Sequence, residues 1–513
     1  MLTLVHHTTD VHQRQFSSLE ALLAAPFPQP PEDMLQLAQR LSAAMAQVAD
    51  QMVLVQLTRA HEAEVCVTQA MAQARAQSPG PLVHKGFRTT SVLLLGGTRL
   101  VFETPSLRED RRGRRGRRRH KRGPHGAGGS PVLEALGIAE RVSPATRSER
   151  ALHVGQAASY REAAAMLARR GLSCDVSSLV RISTALAEAS TRLRDAAREA
   201  ALHGPVPRDG PRAGKRVRVS LDGGRVRRRR THRGRKTAKG RQGFSTPWRE
   251  PRGLVIDLLD TQGQPDRLCL PLYDALIGDA EATWALVLGS LRLLGAAHAE
   301  VVECLAEGAE WMWDRPERLT RLAAMPAATL VEVLDFSHAS QYLYETVETC
   351  HGMPKAQRRA LYERWRHALR HAANGIEVVM DARRALAATR RGKVLKRALG
   401  YCEAQAHRMR YATLEAHKLP LGSGQVESAV RRVINLRCKA PGSFWTEARV
   451  SGLMHLRAAF KSGRWDDVLV GVLTGTFRVP HFQPVDTTAL DGPAEAQCHD
   501  TTQTILESRK KAA

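Results

Sequence analysis

Hydrophobic and polar positions change their period several times along the chain, and each change marks a different kind of element. Over residues 1 to about 80, apolar side chains such as Leu35, Leu41, Met45 and Val48 recur at roughly helical spacing, which predicts helix. The stretch "RTTSVLLLGGTRLVFET" predicts two strands joined at Gly96-Gly97. Residues 131–200 return to the helical period. In "SYREAAAMLARRGLSCDVSSLVRISTALAEA" one helix is expected before Gly171 and another after Cys174, packed through Ala164, Leu167, Leu172, Leu179 and Ile182. That spacing suits a helix-turn-helix, and a plain helical hairpin equally well.

From 216 to 340 the pattern becomes that of a sheet. "RVRVSLDGG" alternates and ends at Asp222, and "GLVIDLLDTQGQPDRLCLPL" predicts a strand, a turn at Gly263 and a second strand. "GDAEATWALVLGSLRLLGAA" predicts a helix with Asp279 as its N-cap. "AEVVECLAEG" is a short buried strand followed by a helix near Trp311. "TLVEVLDFSHAS" is another strand, ending near Asp335 and His338. The order strand, strand, strand, helix, strand, helix, strand implies a mixed α/β sheet with hairpins first and crossovers later. Residues 341–420 are helical and rich in Arg and His. In "LPLGSGQVESAVRRVINLRCKAPGSFW", Gly422 and Gly424 open a further helix, and "WTEARVSGLMHLRAAFKSGRW" is an amphipathic one.

Composition adds a partner to this picture. The chain of 513 residues is too long for one simple core, so several domains are expected. Lys+Arg number 77 against Asp+Glu 51, a net charge of +26, and an excess of that size implies a polyanion, most often nucleic acid. "REDRRGRRGRRRHKRGPHGAGG" has no apolar periodicity and reads as a basic flexible linker. A second run follows Asp222 directly, with ten Lys or Arg between Arg225 and Arg241. In a hairpin it would lie beside that acid and track a phosphate backbone, and Arg is the better fork for phosphate. The eight cysteines hold no C-x-x-C zinc pair and read as buried thiols of a reducing compartment. "MLTLVHHTTDVHQRQ" lacks the apolar core of a signal peptide, and no run approaches a bilayer span. A cytoplasmic, nucleoid-associated protein without membrane contact is the expectation.

Three acids stand where a strand or loop ends beside small residues: Asp222 in "SLDGG", Glu307 in "LAEGAEW" and Glu427 in "GSGQVES". They are 85 and 120 residues apart. Hard divalent cations take carboxylate oxygens, and two such ions can activate a nucleophile and stabilise a leaving oxygen at phosphorus. Taken singly, each acid has an ordinary reading. Asp222 suits a turn, Glu307 suits a helix start, and Glu427 can pair with Arg431 one helical turn on.

At these residues the sequence resembles the bacterial insertion-sequence transposases of the ISKra type, related to the Mutator-like group. The resemblance rests on "SLDGGRVRRR", "STPWREPRGLVIDLLDTQGQ", "EGAEWMW", "VLDFSHASQYL" and "LGSGQVESAVRRVINLRCKAPGSFW", and spans roughly residues 130–470. It implies an RNase H-like catalytic core of α+β or mixed α/β class, interrupted by an all-helical insertion and preceded by a mostly helical DNA-binding region. The implied layout is 1–107 helical with a β-hairpin, 108–130 linker, 131–212 helix-turn-helix-like, 213–340 first part of the core, 341–420 insertion, 421–478 last part of the core, and 479–513 a poorly ordered tail.

The resemblance further implies a catalytic, metal-binding triad of Asp222, Glu307 and Glu427, holding Mg²⁺ or Mn²⁺, two ions in all. Asp335 and His338 are auxiliary. Arg227, Arg228, Arg229, Arg230, Arg431, Arg432 and Lys439 would contact double-stranded DNA, at element ends and target, in a homo-oligomer. The implied activity is DNA transposition: metal-dependent cleavage of element ends, then strand transfer. The family pattern has aspartate where this chain has Glu307. Glutamate is longer by one C–C bond, about 1.5 Å, and a misplacement of about 1 Å can lower a rate on the order of 10²-fold. An impaired site is therefore expected, and a transposase remnant that only binds DNA, or an RNase H-like nuclease without strand transfer, are the alternatives.

Overall fold

The five short apolar runs of residues 216–334 are each long enough for one buried strand, and they assemble into one sheet. The computed structural model describes residues 31–78, 80–109, 129–232, 242–266, 269–313, 325–326, 329–389 and 393–480, together with residues 234, 236, 238 and 240. Most of the expected basic linker, and the tail from 481 onward, lie outside the described residues. The chain divides into two units. One comprises residues 1–193, 448–460 and 465–477, and the other comprises residues 194–447, 461–464 and 478–513.

The first unit opens with helices α1 (Pro31–Glu62) and α2 (Glu64–Gln77) and an antiparallel hairpin of β1 (Leu82–Leu93) and β2 (Arg99–Glu109). The hairpin turn falls at Gly96-Gly97 as expected. A Cβ on Gly96 would lie 2.3 Å from the Ala46 carbonyl, and Gly97 has φ +91°. Buried Asp50 accepts hydrogen bonds from the N–H groups of Gly96 (2.9 Å) and Thr98 (3.0 Å), which fastens the turn to α1. Four helices follow: α3 (Pro131–Ala135), α4 (Pro144–Gln156), α5 (Tyr160–Arg169) and α6 (Val176–His203), of which residues up to Leu193 belong here. The α5–α6 turn passes through Gly171 at φ +76°. Leu167, Leu172, Leu179 and Ile182 are buried as expected, while Ala163 is fully buried and Ala164 only half-buried.

The second unit holds β3 (Arg216–Gly223), a two-stranded arm, β8 (Arg252–Leu259), β9 (Leu272–Leu276), helix α7 (Ala280–Leu293), β10 (Val301–Ala306), the single turn α8 (Glu310–Trp313) and β11 (Leu330–Leu334). The arm pairs β4 (Val226–Arg227) with β7 (Trp248–Arg249), and β5 (Arg230–Thr231) with β6 (Phe244–Ser245). The strand order is β11-β10-β3-β8-β9. β3, β10 and β11 are parallel, and β8 runs antiparallel to both β3 and β9. One face of the sheet presents Val217, Val219, Leu221, Leu254 and Ile256, which share a core with Trp284, Val287 and Leu291 of α7. Asp279 caps α7 by accepting from the Ala282 N–H at 2.9 Å, the role expected for it. The turn at Gly263 also forms, with φ +77°. The strand expected within "PDRLCLPL" does not. Burial begins only at Leu272, so the strand runs from there to Leu276, and Leu270 is exposed.

After β11 come α9 (Phe336–Glu348), α10 (Lys355–His371), α11 (Gly375–Thr389), α12 (Lys393–Gln405) and α13 (Tyr411–Ala416), the helical stretch expected between 341 and 420. Then α14 (Gly424–Val430) runs into a π turn (Arg431–Asn435) and α15 (Leu436–Cys438). This segment closes the opposite face of the sheet. A Cβ on Gly253 would meet Val430 at 2.9 Å, and one on Gly224 would meet Ile434 at 2.9 Å. The last helices, α16 (Glu447–Lys461) and α17 (Trp465–Thr474), do not complete the sheet. Leu456 and Trp465 pack with Ala151, Leu186 and Ala187 of the first unit. Cys304, Cys350, Cys402 and Cys438 are buried free thiols, whereas Cys66 is exposed.

Candidate active site

The site is built from strand register. Leu305 pairs with Ser220 and Ala306 with Leu221, so one further step along the strands sets Glu307 beside Asp222. On the other side Ala306 pairs with Leu334, and the Asp335 N–H donates to the Ala306 carbonyl at 3.0 Å, which sets Asp335 beside Glu307. Adjacent strands lie about 4.8 Å apart. Three acids distant in sequence thus stand in a row at the carboxyl ends of three parallel strands, the edge where open α/β sheets bind ligands. Asp222 also takes its own next N–H, Gly223, at 2.5 Å.

Glu427 reaches this edge from α14. It is exposed and accepts a hydrogen bond from Ser423 Oγ at 3.2 Å. The Ser423 N–H in turn donates to Asp335 Oδ2 at 2.6 Å, while Asp335 Oδ1 accepts from the His338 N–H at 2.8 Å. Both oxygens of Asp335 are therefore occupied, and its side chain is buried. It caps α9 and ties down the loop that leads to Glu427. That is the work of a strut. His338 Nε2 lies 3.3 Å from Glu307 Oε2, and its Nδ1 lies 3.4 Å from Asp335 Oδ1.

Electrostatics shows that the acids sense one another. Burial and then the charge of Glu307 push Asp222 up to about 6, against the pull of its bond to Gly223; Glu427 adds to the rise. Glu307 is likewise raised by burial, with Glu427, Asp335 and Glu250 adding and His338 opposing. His338 is raised by its contact with Asp335 and by the charge of Glu307, against its burial. Burial would lift Asp335, but the hydrogen bonds from His338 and Ser423 bring it below the usual carboxylate range. Like charges gathered at one edge raise each other's proton affinity, and a cation would relieve them.

The donor set is all oxygen, as a hard divalent cation requires. Among the described residues, no group of three His, Cys, Asp or Glu side chains already converges as a finished cation site. Asp222 and Glu307 stand adjacent by register and the charge of Glu427 bears on both, so the three share the oxygen chemistry such an ion takes. Asp222 and Glu307, but not Glu427, line an open cleft of about 410 Å³ together with Arg225, Trp248, Arg249 and Glu250.

Two neighbours carry no signal in the sequence. A Cβ on Gly308 would sit 1.6 Å from Tyr401 Oη, so Tyr401 of α12 packs onto the "EGA" turn. Its buried hydroxyl is pushed well above the ordinary tyrosine range, chiefly by burial. Glu250, at the end of the arm, lies against Gly223: a Cβ on that glycine would meet its carboxylate at 2.2 Å. Neither residue was singled out in the sequence, although Glu250 lies in the "STPWREPRG" stretch; the fold brings both to the site.

No protein-family model matches the chain. No curated protein matches it either.

The basic residues separate into two sets. Arg227, Arg229, Arg230, Arg431 and Lys439 are exposed. Arg228 is half-buried and pairs with Glu447 at 2.9 Å. Arg432 turns inward, donating to Tyr273 Oη at 2.8 Å with its guanidinium over that ring. The ring and hydroxyl of Tyr273 already hold it, which sets it apart from the exposed arginines expected to meet DNA. Alternate residues of the arm tip between 233 and 241 lie outside the described residues.

Proposed function

We propose that this chain is a DNA transposase of an insertion sequence, working through an RNase H-like core with Asp222, Glu307 and Glu427 as its acids. One observation carries the reading: strand register juxtaposes Asp222 and Glu307 across 85 residues, and the charge of Glu427 reaches both. Two further features support it. A helical segment separates the last strand from the last acid, and an arginine-rich arm springs from the first acid's own strand.

A divalent cation such as Mg²⁺ bound there would supply Lewis acidity at the phosphate and lower the pKa of a bound water. The chain's own residues set the geometry. Asp222 and Glu307 hold the strand edge, while Ser423 and Asp335 fix the helix that presents Glu427. Arg225 and Arg249 at the cleft are placed to meet the phosphate backbone. The reaction is phosphoryl transfer: a water oxygen bonds to phosphorus as the 3′ oxygen leaves with a proton, and the oxygen of that 3′-hydroxyl then bonds to a target phosphorus as the target's own 3′ oxygen leaves with the hydroxyl proton.

The Glu307–His338 contact favours a second reading, a transposase slowed at this position. The longer carboxylate is held by the imidazole. The test is Mg²⁺-dependent joining of labelled DNA from either flank of the gene to a plasmid. Joined product supports transposition, cleavage without joining selects the nuclease reading, and retention of DNA without either reaction selects the remnant.

A further inference from the structure

Aromatic residues are only 5% of the chain, yet three of them are exposed together at the base of the arm. Phe244 is 40% exposed, Phe444 42% and Trp248 49%. The two phenylalanine rings stand 4.9 Å apart. Arg229 lies 4.4 Å above Phe244, and Arg227 lies 4.9 Å above Trp248. Beside Trp248 a cavity of about 180 Å³, on the scale of a single heterocyclic base, is lined by Arg227, Lys439, Pro441 and Ser443.

This shelf is held rigidly. Trp445 is buried, and its backbone adds to the arm: its N–H donates to the Arg227 carbonyl (2.9 Å), and its carbonyl accepts from the Arg229 N–H (2.7 Å). Its indole N–H donates to the Cys438 carbonyl at 3.0 Å, and Arg228 pairs with Glu447 at 2.9 Å. The exposed rings therefore sit on a fixed frame, with a guanidinium over one face of Phe244 and one face of Trp248.

We infer that Phe244, Phe444 and Trp248, with Arg227 and Arg229, form a stacking platform for unpaired nucleotides. Exposed rings interleaved with arginines bind single strands because every base has a face to stack and every nucleotide has a phosphate to pair. A duplex hides its base faces, so it can use the arginines alone. The cavity beside Trp248 admits one extruded base. The inference rests on the reading that this chain engages DNA, and it adds that strands are held there unpaired.

The test uses the full chain and fluorescence anisotropy, with a short labelled oligo(dT), the matching oligo(rU), a blunt DNA hairpin, and vesicles of phosphatidylserine. Wild type is expected to bind oligo(dT) with Trp248 fluorescence quenched. Phe244→Ala/Phe444→Ala and Trp248→Ala should each weaken that binding about tenfold or more, in line with one or two lost base stacks. Hairpin affinity should change less than about threefold, since its phosphate contacts remain. Phe244→Trp should restore the single-strand affinity, and unchanged thermal melting of the variants shows that the fold is intact. Equal loss for oligo(rU) extends the platform to RNA; loss confined to oligo(dT) makes it a DNA site. Equal weakening of hairpin and single strand, or binding to vesicles in place of oligonucleotides, overturns the inference. Hairpin binding without oligo(dT) binding overturns the platform alone, and absence of both also removes the DNA reading.

Discussion

Glu307 is one methylene longer than the aspartate of the pattern its neighbourhood resembles, and its extra reach ends on His338 at 3.3 Å. Shortening it draws the carboxylate back by about 1.5 Å towards the strand edge it shares with Asp222. Glu307→Asp is therefore expected to raise the rate of Mg²⁺-dependent DNA cleavage by about tenfold to 10²-fold. An unchanged or lower rate in a kinetic assay contradicts the idea that length impairs the site. Asp222 and Glu307 stood out in the sequence because each follows an apolar run and precedes a glycine, and Glu427 because it follows Gly422 and Gly424. Their supports did not. Asp335 has a strand-end position like theirs, but only its bonds to Ser423 and His338 show it to be a strut. Gly308 looks like turn chemistry until Tyr401 is seen filling the space where its Cβ would go.

Across the sheet, Glu303 of β10 stands opposite Arg218 of β3, and Arg218 opposite Asp257 of β8. Arg218 gives both its bonds to Asp257, at 2.6 and 3.2 Å. Among the described residues neither carboxylate oxygen of Glu303 has a hydrogen-bond partner, and burial pushes it up to about 8 from an ordinary 4.5. The sign follows from proton counts. Between those two values the folded state holds a proton that the unfolded state lacks, so Glu303 lowers stability as pH rises from about 4.5 through 8. Glu303→Gln should match wild type near pH 4 and exceed it by on the order of 4 kcal/mol at pH 8 in denaturant titrations. A constant difference at both pH values contradicts a neutral buried Glu303. The strands were readable as short, mostly apolar or alternating runs, each with a charged residue inside it. The last strand of the sheet was misplaced because "RLCLPL" is apolar enough to suggest pairing. Burial instead selects "LYDAL", whose first four residues are all interior.

At the scale of the whole chain, the net charge is +26, and ten of the basic residues gather between Arg225 and Arg241, the composition that the proposed DNA partner would need. Among the described residues no helix is long and apolar enough to cross a membrane. Duplex binding should then weaken by roughly 10³-fold or more between 50 and 200 mM salt, as expected for six or more phosphate contacts. A shallow dependence in equilibrium binding contradicts an arm that tracks a backbone. Charge and its clustering were plain in the sequence. The division into units was not, because α16 and α17 continue the chain past the last acid yet pack with the first unit.

The central claim is that Asp222, Glu307 and Glu427 act together on a phosphodiester with a divalent cation. The most direct measurement is cleavage of labelled DNA from the gene's flanks by wild type, Asp222→Asn and Glu427→Gln, with DNA retention followed in parallel. The account predicts Mg²⁺- or Mn²⁺-dependent cleavage by wild type, a loss of about 10²-fold or more in each variant, and unchanged retention of DNA. Cleavage that survives either substitution, or that proceeds equally in a chelator, would contradict it.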